Sequence, residues 1–309
     1  MRRLLQPLEH HALRARAVRR AALAAAAARG RVLVLVFHRI TAAHASPGGI
    51  VPAVPEDVFR RQVEMLLELG DVVPLKSLLD ESSVGRRPRF GLTFDDDSIT
   101  HHEVVLPILR ELQVTATFFV SGRSLHGLGP LWFEILDAMV LARGVPEVAS
   151  RIGIPTGDAE VLAGMCENDP VLQRRLEEED IAVPERLTRD HIRALADAGM
   201  TVGFHTLDHR LLTGLSDDEI DAVLRHGRDE IEAVIEEPLL LFAYPHGKAD
   251  GRIADRVRRA GYVAAWTSWP RAIERGSDPY QLGRWEPGPI VGRDFGARVA
   301  ARLNGWVGT

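Results

Sequence analysis

Phe90-Gly91-Leu92-Thr93-Phe94-Asp95-Asp96-Asp97 is an apolar, β-type stretch that runs straight into three consecutive carboxylates. About 110 residues further on, Gly203-Phe204-His205-Thr206-Leu207-Asp208-His209 ends a second such stretch in a His-x3-His pair. If the two strand ends lie side by side, one carboxylate and two imidazoles converge on a divalent cation. Two His and one Asp leave a coordination position open, the pattern of a catalytic rather than a structural zinc site. A second carboxylate next to the ligand is then placed to take a proton from water that the cation activates, which is the chemistry of hydrolysis.

Working outward, short β-branched or aromatic runs recur at Val32–Phe37, Val72–Leu75, Phe90–Phe94, Thr115–Val120, Thr201–Phe204, Leu239–Tyr244, Tyr262–Thr267 and Leu282–Trp285, alternating with helical periodicity. Such alternation predicts a parallel sheet with helices outside it, and seven or eight repeats favour an α/β barrel over an open sheet. No glycine-rich dinucleotide fingerprint follows the first strand. Ser216-Asp-Asp-Glu219 is a capping box predicting a helix to about Glu237, and Gly199 closes a helix over Thr188–Ala198. Some 80 residues separate the strands ending at Val120 and Phe204, far more than one crossover needs. Helical patterns at Leu131–Ala142, Ala159–Glu167 and Pro170–Glu179 predict a helical insertion over about 123–184. Insertions after strand C-termini are where barrel enzymes build substrate sites. The expected division is a basic N-terminal helix (1–30), the barrel (31–290) and a C-terminal helix or tail (291–309).

The chain's 309 residues, 46% hydrophobic and 26% charged, suffice for one barrel-sized core. A net charge of -5 gives no reason to expect a nucleic-acid partner. Charge is uneven, however: residues 1–31 carry Arg2, Arg3, Arg14, Arg16, Arg19, Arg20, Arg29 and Arg31 against Glu9 alone. With the alanines 21–22 and 24–28, this arm reads as a helix with a basic face, packed on the outside of the domain. Peripheral contact with an anionic membrane surface is its alternative use, although an alanine-rich side buries little area. The arm has a basic start like a signal peptide, but its core is poor in leucine and a strand follows almost at once. Cys166, the single cysteine, excludes an internal disulfide. The expected location is the cytoplasm, with the arm at the inner membrane face if it binds lipid.

Leu92-Thr-Phe-Asp-Asp-Asp97, the run Val114-Thr-Ala-Thr-Phe-Phe-Val-Ser-Gly122 and His205-Thr-Leu-Asp-His209 together closely resemble the polysaccharide deacetylases of carbohydrate esterase family four, the NodB-homology domain. The likeness covers roughly 31–290, with the insertion outside its core pattern. It implies a distorted (β/α)7–8 barrel of the NodB-like type. It also implies Asp96, His205 and His209 as metal ligands and Asp95 as general base. Physics agrees with that division, because a carboxylate on a dication loses basicity while its neighbour stays free to accept a proton. Asp97 stands where the family has glycine, and reads as a hydrogen-bond acceptor behind the two functional acids.

Phe242-Ala-Tyr-Pro-His-Gly247 resembles the family's arginine-proline-tyrosine-glycine loop, with Ala243 in place of the arginine that fixes the base. In a subgroup with FAYP-type loops, an arginine from a later segment takes that place. Asp278-Pro-Tyr-Gln-Leu-Gly-Arg284-Trp285 resembles that segment, so Arg284 is expected to clamp Asp95. The His246 backbone N–H, at the family's tyrosine position, is expected to donate to the oxyanion. The family's late leucine-x-histidine general acid is missing. Instead, Val36-Phe37-His38 ends the first strand like relatives whose acid histidine has moved to the N-terminus, and His38 is assigned that role with His246 as its competitor.

These implications give a metal-dependent hydrolase that removes acetate from an N-acetylated sugar, oligosaccharide or polysaccharide. The expected cofactor is a divalent metal: zinc, with cobalt or nickel accepting the same donors. The expected substrate contacts are Tyr244, Pro245, Trp132 and Trp285, with Trp266 and Trp269 read as packing. His101 and His102 are read as the start of the next helix rather than as ligands, and a surface pairing of Arg284 with Glu286 is the bland alternative to the clamp. Two rival readings stay open at this point. One is a metal-dependent glycosyltransferase using the acidic triplet, and the other is a carbohydrate-binding protein with a decayed site. Oligomeric state is not legible.

Overall fold

The structure is a computed structural model and describes residues 6–43, 48–78 and 86–306, with side chains of the first helix from Arg16 onward. Nine strands are formed among these residues: β1 (Val32–Phe37), β2 (Arg39–Thr41), β3 (Ala53–Pro55), β4 (Asp71–Val72), β5 (Arg89–Asp95), β6 (Thr117–Val120), β7 (Thr201–Phe204), β8 (Leu241–Ala243) and β9 (Ala264–Trp266). Seven make one parallel sheet in the order β1-β5-β6-β7-β8-β9, with β4 also on β5. The short pair β2-β3, which the sequence pattern did not reveal, lies beyond the end of β1.

The expected strand at Leu282–Trp285 is not a full strand, yet it bonds to both edges of the sheet. Leu282 N–H donates to Ala265 O (3.0 Å) and Trp285 N–H to Val34 O (2.8 Å), linking β9 to β1. The sheet thus curls into a distorted (β/α) barrel, as expected. Gly203 permits close packing inside it, since a Cβ there would sit 2.5 Å from the Phe119 ring.

Side-chain alternation then divides the buried residues into two layers. Val32, Val34, Phe119, Leu241, Ala243, Ala264, Trp266 and Leu282 form one cluster in the barrel interior. Leu33, Leu35, Phe37, Leu92, Phe94, Phe118, Phe204 and Phe242 belong to the larger cluster beneath the outer helices. Helix Glu56–Leu69 contributes Phe59, Val63 and Leu66 to that layer, and Phe59 meets Phe37 edge-on at 5.2 Å. Each such fully buried side chain contributes ~1.5–3 kcal/mol. The same parity carries His38, Asp95, His205, Arg284 and Glu286 inward, toward the C-terminal end of the barrel.

After β6, helices Trp132–Arg143, Val145–Ile152, Ala159–Glu167 and Pro170–Glu177 fill the expected insertion. They share a core of their own, including Phe133, Leu136, Leu162, Cys166 and Leu176. Burial pushes the Cys166 thiol up to about 11, which suits packing rather than reactivity. Helix Val145–Ile152 was hidden by Gly144 and Pro146, which read as a break although proline is tolerated in a first turn.

One expectation on helices is corrected. The helix from Ser216 keeps its capping box but ends at Val223, and Gly227 at φ +84° separates it from a second helix, Arg228–Ile235. The N-terminal helix Gln6–Ala28 packs against helix Gly292–Leu303: Ala22, Leu23 and Ala26 join Phe295, Val299 and Leu303 in the core. Arg2 and Arg3, and the side chain of Arg14, lie outside the described residues. No described helix is long and apolar enough to cross a membrane.

Candidate metal centre and active site

Strand ends β5 and β7 bring the three expected ligands together. Asp96 Oδ1 lies 3.7 Å from His205 Nε2 and 3.7 Å from His209 Nε2, and all three donors fall within 4.8 Å of one another. That spread is close to what one cation with ligand distances of ~2.0–2.2 Å draws together. His205 Nδ1–H donates to Ala243 O at 2.9 Å, which fixes the tautomer and leaves Nε2 as the ligating atom. Burial lowers the His205 pKa to about 4 and that of His209 well below its ordinary value, so both rings are neutral and able to ligate. Burial, with Asp95 adding to it, pushes Asp96 up to about 7 despite the opposing charge of His38. A half-buried carboxyl in that state is short of counter-charge, which a dication at the triad would supply. The donor set therefore fits a divalent metal.

The backbone is bent to achieve this. Asp96 (φ 69°), Thr206 (φ 60°), His209 (φ 47°) and His246 (φ 58°) are all left-handed, and Thr206 is β-branched. Each such residue costs ~1–2 kcal/mol, and clustered strain of this kind accompanies functional sites.

Arg284 is fully buried and clamps Asp95 with two parallel bonds, Nη1–H to Oδ1 at 2.6 Å and Nη2–H to Oδ2 at 2.7 Å. Two further donors are used, Nε–H on Thr267 O (3.1 Å) and the second Nη1–H on Thr93 Oγ1 (3.2 Å). Burial alone pushes the Asp95 carboxyl up, but Arg284, helped by His205 and His38, outweighs it and holds Asp95 down to about 2. Arg284 thus supplies the cation that Ala243 cannot, and it does not pair with Glu286.

Glu286 is instead the partner of His38, whose Nδ1–H donates to Glu286 Oε1 at 3.0 Å. Burial opposes the charged ring, yet the bond and charge of Glu286, with Asp96 and Asp95 behind it, push His38 up to about 9. The pairing turns the other ring nitrogen loose and keeps the ring a proton donor. Sequence reading missed Glu286, although its position two residues after Arg284 puts it on the same side of an extended segment. His101 supports His38 from behind: its Nε2–H donates to the His38 carbonyl at 2.6 Å. It is buried and begins a helical turn, and burial lowers it to about 4. His102 stacks on His191, away from the triad.

His246 is held on both sides. Nδ1 pairs with Glu167 Oε1 at 3.0 Å, and Nε2 lies 3.2 Å from the His209 carbonyl. Asp97 accepts from Ser121 N–H (2.8 Å), Ser121 Oγ–H (2.6 Å) and Gly122 N–H (3.1 Å), tying the acidic loop to the start of the insertion. It is the acceptor expected behind Asp95 and Asp96.

A cavity of about 370 Å³ opens over the triad, lined by His38, Asp95, Asp96, Trp132, Phe133, Glu160, Glu167, Tyr244 and His246 among others. Trp132 and Tyr244 meet the expectation of a wall position, but the Tyr244 ring is buried and its hydroxyl already donates to Tyr280 O at 2.7 Å. Trp285 and Pro245 are corrected, for neither lines the cavity. Alternation sends Trp285 to the face opposite Arg284, where it stacks on Phe295 at 5.9 Å. Pro245 is buried as the first residue of the turn that carries His246. Trp266 is core, and Trp269 lies under the Arg271 guanidinium.

Comparison with known proteins agrees with this arrangement. The family model for polysaccharide deacetylase matches residues 83–265. YxkH of Bacillus subtilis (strain 168), named for polysaccharide deacetylases, is 25% identical over 114 residues, 37% of this chain and 41% of its own. The match therefore spans about two fifths of the length of that curated relative. In fold, the chain is similar to the Streptococcus pyogenes deacetylase PplD in complex with acetate (TM-score 0.60, 16% identity, 87% of this chain and 97% of that one). It is similar also to a de-N-acetylase from Aggregatibacter actinomycetemcomitans (TM-score 0.60, 16% identity, 86% and 99%) and to IcaB from Ammonifex degensii (TM-score 0.59, 18% identity, 89% and 97%). With the model matching more than half of the chain, acidic loop and histidine pair included, the chain belongs to the polysaccharide deacetylase family.

Proposed function

We propose that this chain is a metal-dependent N-deacetylase, hydrolysing the acetamide of an N-acetylated sugar, oligosaccharide or polysaccharide to acetate and the free amine. The observation that carries the reading is the Asp96–His205–His209 triad beside an Asp95 carboxylate gripped at both oxygens by Arg284. A divalent cation held by those three residues, zinc on the chemistry of the donors, supplies Lewis-acid activation of water and neutralises developing negative charge. Asp95, held ionised and in place by the clamp, takes the proton of the attacking water. The His246 backbone N–H, in its left-handed turn at the cavity wall, donates to the carbonyl oxygen as charge develops on it. His38, oriented by Glu286, gives its proton to the departing amine nitrogen. Trp132 and Phe133 offer apolar faces to the sugar ring.

The clamp also bears on the decayed-site alternative, since the base is charged and oriented despite Ala243. Acetate release from a panel of N-acetylated glycans, with and without chelator, tests the function. The expected result is release that chelator abolishes and added zinc restores. Sugar binding without release at saturating zinc would leave a binding protein, and uptake of a nucleotide sugar would favour a transferase.

A further inference from the structure

The insertion does more than wall the cavity. Glu167, the last residue of its third helix, reaches from one side of the site to the loop after β8 and accepts His246 Nδ1–H and Lys248 Nζ–H on the same oxygen, each at 3.0 Å. The two contacts are unlike. Glu167 and His246 are both only 16% exposed, whereas the Lys248 side chain is 53% exposed, where an ion pair contributes little. From His246 the connection continues through Nε2, 3.2 Å from the carbonyl of His209, and the His209 ring packs 4.7 Å from that of His246. Glu167 therefore braces two residues in left-handed conformations, one expected to hold the cation and one whose N–H is the proposed donor to the reacting carbonyl. Neither conformation is favourable by itself, so something outside the two loops has to hold them. The brace comes from a helix with its own packed core, in which the neighbouring Cys166 is fully buried.

We propose that Glu167 is a positioning residue, through which the helical insertion fixes the His246 ring and with it the turn that stabilises the oxyanion. This rests on the deacetylase reading for its kinetic consequence, but the ring contact is testable without it. Lys248 serves as the internal control, being bound to the same oxygen without touching the site.

Two measurements on the zinc-loaded protein decide the matter: the kinetics of acetate release from an N-acetylglucosamine tetramer, and long-range proton–nitrogen NMR correlations of the histidine rings. Glu167→Ala is expected to lower kcat by the ~10–100-fold typical of lost outer-shell partners, with KM and zinc stoichiometry close to wild type. It is also expected to displace the His246 ring signals and to speed exchange of the Nδ1 proton. Glu167→Gln, whose amide oxygen still accepts from Nδ1–H, should restore most of the rate and the wild-type ring signals, and Lys248→Ala should leave both unchanged. Unaltered His246 signals in Glu167→Ala would overturn the proposal, as would a Lys248→Ala variant that loses as much as Glu167→Ala. If the wild type releases no acetate from the tetramer, the functional reading fails for that substrate, while the ring signals still decide whether Glu167 positions His246.

Discussion

Arg284→Met is expected to destabilise the fold by ~3–5 kcal/mol, the usual cost of breaking a buried ion pair by removing one partner. Asp95 is then left buried without the two bonds at 2.6 and 2.7 Å that hold it, and Thr267 O loses its donor as well. Without the guanidinium, burial acts unopposed by its largest counter-influence, and the Asp95 carboxyl rises from about 2. Protonation of Asp95 at neutral pH would remove the base, so a fall in kcat on the ~10²–10⁴-fold scale of acid–base assistance accompanies the loss of stability. Arg284→Lys should recover charge without the fork and fall between the two. Denaturant unfolding and acetate-release kinetics check both parts. Wild-type stability together with wild-type kinetics would return Arg284 to a passive role in the barrel.

Asp95→Asn is expected to separate metal binding from turnover. The amide fills the same space but cannot accept the proton, and it presents one N–H₂ to a guanidinium that has only donors. Elemental analysis should find the metal retained, because Asp96, His205 and His209 are untouched. The rate should fall ~10²–10⁴-fold in kcat with little change in KM, as for a group needed only in the transition state. Near-normal acetate release would remove Asp95 from the role of base.

Much of the site was legible from the acidic triplet, the His-x3-His pair and the family resemblance they carry, and strict strand alternation is the physical reason those residues meet. In β5, Thr93 and Asp95 point inward while Phe94 lies in the outer layer, and that parity put Asp95 within reach of an inward arginine on a neighbouring segment. The same rule, applied to Arg284, finds Glu286 on its side of the segment and excludes Trp285, which stacks on Phe295 instead. Barrel closure was harder to read, since Leu282–Trp285 forms bridges on both sides without strand length. Glu167 was not legible at all. Its contact with His246 joins elements 79 residues apart in numbering, and no local period marks a helix's last residue as a partner for a distant loop. The break at Gly227 was missed because the capping box at Ser216 and the apolar pattern on either side suit one continuous helix as well as two.

Zinc stoichiometry, measured on the dialysed wild type and on His205→Ala, bears most directly on the convergence of Asp96, His205 and His209. One zinc per chain in the wild type and none in the folded variant is the predicted result. Full occupancy in His205→Ala, or no binding by the wild type at saturating zinc, would contradict a shared cation at these strand ends.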